Sequence, residues 1–443
     1  MAGKENTLQE FGKYVSQSVL SQLGVSCYIL ADTYFISKGV GADGLTALNL
    51  AIPVFSVMNG CGFMLGIGSG TKYGIMKGTG NEKRGDVLFT SSLCVVTVLA
   101  VIFMLIGLLA ADPITVLVGA NAEVYDMTRT YLQVILLFSP MFMINNLLGA
   151  MIRNDGNTSL AMTAMLSGCL FNIVFDYIFV FPMGLGLFGA VLATAVAPII
   201  SILILLQHFV KKKNQFRLIR VRPELRLVAS AAGLGVPSLV TEVSSGLVIA
   251  VFNLLILGLA GNVGVAAYGV VANISIVVIA IYNGIAQGVQ PLLSREYGRS
   301  QEKNVHRFLG WAMMLTAILA MVIYVGIYWN ADVIAMIFNS GRDMDLQRIA
   351  VEGLKIYFTA CPFVGANILL AIYFAATDQA APAQMISLLR GLIVIVPLAF
   401  IMANVAGLTG VWMTFPLTEL VVCVVACGLY KKMKKNLFKM NNN

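Results

Sequence analysis

Charge is scarce in this chain. Asp, Glu, Lys and Arg make up only 11% of its 443 residues, against about 25% in an ordinary soluble domain. That shortage excludes a soluble globular domain, which needs charged groups to cover its surface. Histidine is scarcer, with two residues. His208 ends an apolar run and His306 sits in a basic loop, and neither belongs to a catalytic or metal constellation. No nucleophile or metal cluster is visible, so an enzyme is not expected. The seven cysteines all fall in apolar runs and read as buried apolar filler. The N-terminus MAGKENTLQEFGKYV lacks a short apolar core ending in a small-residue cleavage site, so no cleavable signal peptide is expected.

What the chain has is apolar length. It is 58% hydrophobic, with a mean hydropathy of +0.86. The run from Val87 to Ala110 exceeds the ~20 residues that cross a bilayer. A closed barrel, the other spanning solution, needs short alternating strands, and these runs do not alternate. The fold class is therefore all-α integral membrane. Apolar runs between polar breaks predict twelve transmembrane helices at 14–37, 45–72, 87–110, 124–150, 160–182, 188–210, 229–258, 265–294, 308–330, 348–376, 384–402 and 408–430.

Lysine and arginine sort onto two faces. One face, with both tails and the linker KKKNQFRLIRVRPELR, carries 23 of them. The other carries five: Lys38, Arg129, Arg342, Arg348 and Lys355. Arg390 is left inside a span. Basic loops stay in the cytoplasm, so both termini are predicted cytoplasmic, in a multi-pass protein of the inner (plasma) membrane. This asymmetry accounts for the net charge of +8 and for the basic linker, so nucleic acid is not an expected partner.

The sequence repeats itself at a shift of about 220 residues. Gly41 meets Gly261, Gly44 meets Gly264, Ala47 meets Ala267, Gly68 meets Gly288 and Gly78 meets Gly298. Glu82-Lys83 meets Glu302-Lys303. At a shift of 222, Pro140 meets Pro362 and Asn145 meets Asn367; at 221, Gly186 meets Gly407 and Gly189 meets Gly410. Each half has six predicted spans, an even number, so both enter from one side and the repeat is parallel. The expected organisation is an N-terminal six-helix bundle (1–210), a cytoplasmic basic linker (211–226) and a C-terminal six-helix bundle (227–443). Parallel repeats of this kind mark transporters, with the substrate cavity between the halves.

Charges inside the membrane are costly and are read as functional until shown otherwise. The stretch FNIVFDYIFVF places Asp176 in the fifth predicted helix, and CYILADTYFIS places Asp32 in the first. At ~1.5 Å per residue both lie at one level, about 8–9 Å inside the outer boundary. Tyr28 is one turn below Asp32, and Asn172 one turn below Asp176. Two carboxylates at one depth disfavour double ionisation, so a shared proton or cation is expected there. In the second half, Arg390 and Glu419 share a depth about 17–18 Å from the outside, which reads as a structural ion pair or part of a cavity. Glu242 lies deeper by one or two turns, where it can join that pair or face the cavity.

These residues and the repeat resemble the multidrug and toxic compound extrusion (MATE) family over nearly all of the chain. The specific points are Tyr28–Asp32, the Asn172–Asp176 element and the glycine-rich GLFGAVLAT (Gly186 to Thr194). The resemblance is closest to the bacterial multidrug export branch, which keeps both N-half aspartates. The tenth predicted helix has no mid-span acid. Asp378 lies just past its cytoplasmic end, unlike the branch whose cation site includes an aspartate in that helix. The resemblance implies a secondary antiporter that exports amphipathic organic cations in exchange for protons or sodium, with no other cofactor. It implies a coupling site at Asp32, Asn172, Asp176 and Thr194 with Tyr28 beside it. A coupling sodium would sit at Asp32, Asn172 and Asp176. Membrane lipid is the other expected partner, and a monomer is expected. A lipid-linked saccharide flippase of the same superfamily is the alternative; it would need a cavity lined with Arg and Lys.

Overall fold

The computed structural model describes residues 2–339 and 341–440, and the side chains of 7–339 and 341–433. The side chains of Lys4, Lys434, Lys435 and Lys439, counted in the charge asymmetry, lie outside the described residues. Among the described residues nine helices are long and apolar enough to span a membrane, and a bent pair makes ten. Two of the nine are each two spans joined at a break, at Gly261 and at Ala406–Gly407. The total is therefore twelve, all helical, as the sequence predicts.

The spans are α1 (Ala2–Gly39), α2 (Ala42–Gly78), α3 (Glu82–Leu109), α4 (Tyr125–Leu137 with Ser139–Asn154), α5 (Thr158–Val180) and α6 (Gly186–Leu205). The second half runs α7 (225–260), α8 (262–298), α9 (Glu302–Phe338), α10 (Met344–Tyr357 with Cys361–Ala376), α11 (380–405) and α12 (408–440). The predicted span 124–150 is present as a bent helix: α4 turns by 46° between its two segments. Pro140 sits at that bend and has no N–H to continue the ladder. A π-helical turn, Leu389–Ile393, interrupts α11 around Arg390.

The repeat is visible in the backbone. Gly41 has φ 91° and ψ −158°, and its repeat mate Gly261 has φ 62° and ψ −159°. This region is open essentially to glycine alone. Gly186 and Gly407 share φ 56°. At each of these positions the chain turns from one span into the next, and a side chain would strain the turn.

The two bundles meet at the end that carries most of the Lys and Arg, here the basic end. A Cβ on Gly78 would run into the Arg295 carbonyl, and one on Gly298 into the Ile75 carbonyl. Residues 75 and 295 are themselves repeat mates, so the contact is reciprocal, as across a twofold axis. The hydrophobic cores interlock in the same way. Leu227, Val228 and Ala231 at the start of α7 pack into the first bundle's core. Phe11, Tyr14 and Val15 of α1 pack into the second's.

Polar pairs complete this contact. Lys72 on α2 bonds to Asp378 at the end of α10, at 2.8 Å. Arg295 on α8 bonds to Glu10 on α1, at 2.7 Å. Arg153 donates to Gln287 at 2.6 Å. Gln290 donates to Thr71 at 2.9 Å and to Asn154 at 3.2 Å. The bundles are thus closed on each other at the basic end.

The linker is a strap laid along the first bundle. Phe216 is fully buried against the rings of Tyr73, Phe89 and Phe209. Backbone N–H groups of Arg217, Ile219 and Glu224 donate to Asp86, Thr90 and Ser91 on α3. Asp155, just past α4, collects the rest. Its buried carboxylate accepts from Tyr73 (2.7 Å), His208 (2.8 Å), the Gln215 N–H (2.9 Å) and Lys77 (3.0 Å). Burial alone would raise this carboxyl's pKa, but bonds from His208 and the Gln215 N–H, the Lys77 charge and the Tyr73 hydroxyl outweigh it, so it lies below the ordinary value of 3.8. His208, which the sequence left as the end of an apolar run, is a structural partner here.

The cysteines need one correction. Cys169 and Cys361 are buried, but Cys27, Cys94 and Cys427 are exposed on the surface of the helices. In a spanning helix an apolar position can face lipid as well as core.

Candidate cation and proton site

α1 and α5 pack side by side and bring Asp32 and Asp176 together. Their carboxyl groups stand within hydrogen-bonding reach of one another. Asp176 is fully buried and Asp32 is 8% exposed, so water does not screen the pair. Tyr28 lies close enough to feel the charges of Asp32, Asp176 and Glu242.

Asn172 is 1% exposed and links α5 to α6. Its neighbours set its orientation. The amide nitrogen donates to Asp176 Oδ2 at 3.1 Å, and the amide oxygen accepts from Thr194 Oγ1 at 3.0 Å and Thr194 N at 3.2 Å. Pro198, four residues after Thr194 in α6, has no N–H for the Thr194 carbonyl. Asp32 Oδ1 and Asp176 Oδ1 are buried and have no hydrogen-bond partner among the described residues. A buried acceptor without a partner is costly, so these two oxygens suit a proton or a small hard cation.

The structure thus gathers Tyr28, Asp32, Asn172, Asp176 and Thr194 in one place. It adds a residue that the sequence reading missed. Tyr131 on α4 is buried and in electrostatic range of Asp32, Asp176 and Tyr28. A scan for charges alone could not find a phenol.

The acids of the second half form two separate groups. Arg390 Nε meets Glu419 Oε1 at 2.5 Å. Asn367 donates to Glu419 Oε2 at 2.7 Å and to the Glu419 carbonyl at 2.8 Å. Glu242 is not in that group. Asn59 on α2 donates to Glu242 Oε1 at 3.1 Å, and Asn146 on α4 donates to Asn59 at 3.0 Å. Glu242 is therefore tied across the two bundles. Asn59 and Asn146 were legible as amides inside spans, had uncharged polar residues been counted. Among the described residues no cluster of three His, Cys, Asp or Glu could hold a metal ion.

The MatE family model matches residues 18–178 and 237–401, one match in each bundle. The chain belongs to the MatE family. It is a multi-pass membrane transporter, and not an enzyme. The multidrug export protein MepA of Staphylococcus saprophyticus is 27% identical over 406 residues, covering 91% of this chain and 88% of that protein. A solved structure of a multidrug resistance MATE family transporter of the MOP superfamily, in an outward-facing conformation, superposes with a TM-score of 0.90. It is 22% identical and covers 97% of this chain and 96% of that one. A MOP superfamily transporter from Pyrococcus furiosus superposes at 0.88 with 23% identity, covering 96% of each chain. The chain shares with MATE transporter structures the fold of twelve helices in two parallel-repeat bundles.

Proposed function

We propose that this MatE transporter exports amphipathic organic cations by antiport, with a proton or a sodium ion entering through the Asp32–Asp176 site. The observation that carries the reading is the buried pair itself. Two carboxyls in mutual reach, each with an unpartnered oxygen, cannot both ionise in low dielectric unless a proton or cation lies between them. Binding that ion removes a repulsion between α1 and α5. A change in their packing biases the equilibrium between two arrangements of the bundles, provided the ion binds them with unequal affinity. Asn172, held by Thr194, orients Asp176 for this step. The similarity to MepA supports drug-like substrates, and the alternating bundles are 1–210 and 227–443 joined by 211–226, acting as a monomer.

The positive-inside asymmetry supports placing the basic end in the cytoplasm. The bundles are closed there, which suits loading of the site from the outside by an inward gradient. The flippase alternative gains no support: Arg390, the one mid-span arginine, is neutralised by Glu419 and is not free to hold diphosphate.

The test uses purified protein in proteoliposomes loaded with a fluorescent organic cation, with a proton gradient and a sodium gradient imposed separately. Wild type should move the dye on one gradient. Asp32→Asn and Asp176→Asn should each lose gradient-driven transport while remaining folded in the membrane. Normal transport by both variants would refute the coupling site and redirect attention to Glu242.

A further inference from the structure

An open cleft of about 460 Å³ runs between α1, α8 and α9 in the half of the molecule nearest the basic end. Its walls include Phe11, Val19 and Leu23 on α1 and Leu315 and Leu319 on α9, with Ser16 the one hydroxyl among its lining residues. From Phe11 to Leu23, α1 rises about 18 Å. The acyl region of one leaflet is about 15 Å deep, half of a ~30 Å hydrocarbon core. The cleft is thus as tall as one lipid tail.

Two cations stand close to its lining in sequence, one directly after Gly12 on α1 and one about two turns before Leu315 on α9. Lys13 is exposed beside Gly12, and Arg307 is half-buried next to Phe308, whose ring stacks on Phe11 at 6.4 Å. Neither cation makes an ion pair among the described residues. Trp311 meets the Phe11 ring at 5.7 Å, and tryptophan favours the membrane interface.

The two halves of the repeat differ beside this cleft. On α3, Thr90 and Ser91 accept from the linker strap, which covers that face. Their mates on α9 are Gly310 and Trp311, and no strap lies on them among the described residues. A Cβ on Gly310 or on Gly12 would meet nothing within 4 Å.

We propose that this cleft binds one anionic phospholipid from the leaflet at the basic end. A tail fills the cleft, and the phosphate is held by Lys13 and Arg307. Basic pockets between spans on the cytoplasmic side suit such headgroups. That this leaflet is the cytoplasmic one rests on the orientation proposed above; binding in the cleft does not.

The probe is palmitoyl-oleoyl phosphatidylglycerol against the matching phosphatidylcholine, each titrated into the delipidated full-length protein and followed by native mass spectrometry. Wild type should hold one phosphatidylglycerol on the order of tenfold more tightly than phosphatidylcholine, from two basic contacts near the headgroup. Lys13→Gln with Arg307→Gln should bring the two lipids to equal affinity. Ser16→Phe should block the cleft and remove tight binding of both. Leu20→Trp, at a lining position 49% exposed, repeats the block if Ser16→Phe does not fold. Equal binding of the two lipids by wild type, or undiminished phosphatidylglycerol binding with the cleft blocked, would overturn the proposal. Neither outcome bears on ion coupling at Asp32 and Asp176, which the transport assay reads separately.

Discussion

Gly78 of α2 and Gly298 of α8 touch at the basic end, each pressed against the carbonyl three residues before the other, that of Arg295 and that of Ile75. The contact has no room for a side chain on either residue. The polar pairs Lys72–Asp378 and Arg295–Glu10 stand at the same end.

A leucine at this crossing must push the bundles apart. Overpacking of this kind costs about 1–3 kcal/mol, enough to shift a conformational balance by roughly five- to a hundredfold. Gly78→Leu and Gly298→Leu should therefore act alike, and both should populate a form open at the basic end. Spin labels at positions 83 and 303, another repeat pair, would read the change as a longer distance in electron resonance measurements. An unchanged distance distribution in both variants would mean that the closed contact does not depend on this crossing.

The Arg390–Glu419 pair makes a different prediction. Arg390 is 14% exposed and Glu419 is 1% exposed at their side chains, so removing one partner leaves a buried charge. Breaking such a pair costs about 3–5 kcal/mol. Arg390→Met should lower expression and thermal stability far more than it alters ion coupling. Arg390→Met with Glu419→Leu should recover much of the stability, because neither charge is then stranded. A double variant that folds normally but has lost coupling would assign the pair to transport.

Much of this architecture was legible in the sequence because bilayer physics leaves few choices. Twelve apolar runs, a parallel repeat and the level of Asp32 and Asp176 follow from length, helix rise and spacing alone. The glycines Gly41, Gly261, Gly186 and Gly407 were legible as repeat mates, but that all four take a positive φ is a finding of the structure. What sequence could not supply was contact between segments far apart in the chain. The Asn59–Glu242 bond joins residues 183 positions apart, and no periodicity announces it. The bend of α4 and the cross-packing of Phe11 and Ala231 into opposite cores are likewise products of how the bundles dock. The strap was legible only as charge; its anchor, Phe216, is one aromatic among basic residues.

Asp155 gives a pH test outside the membrane. Its carboxyl lies below the ordinary 3.8 in the folded protein. A depressed carboxyl adds stability that is fully present above the unfolded pKa and is lost as pH falls through the folded one. Asp155→Asn should therefore melt earlier than wild type at neutral pH. The difference should shrink as pH falls from about 4 toward and through the folded value. Thermal unfolding in detergent across that range would show it, and a difference that does not change with pH would mean that ionisation of Asp155 contributes nothing.

The last prediction concerns the amide between the helices. Asn172 can donate to Asp176 because Thr194 holds its oxygen from two directions, through Oγ1 and the backbone N–H. Removing the hydroxyl leaves a buried oxygen under-satisfied, at about 1–3 kcal/mol, and loosens the amide that aims Asp176. Groups that orient ligands in this way change ion affinity about 10–100-fold when lost, by analogy with metal sites. Thr194→Val should then raise the concentration of coupling ion needed for half-maximal transport about tenfold, with little change in the maximal rate. Thr194→Ser keeps the hydroxyl and should stay near wild type. Asn172→Leu removes the bridge altogether and should exceed the effect of Thr194→Val. If Val and Ser at position 194 behave alike, the hydroxyl does not act through Asn172, and the orientation of Asp176 must come from its contact with Asp32 alone.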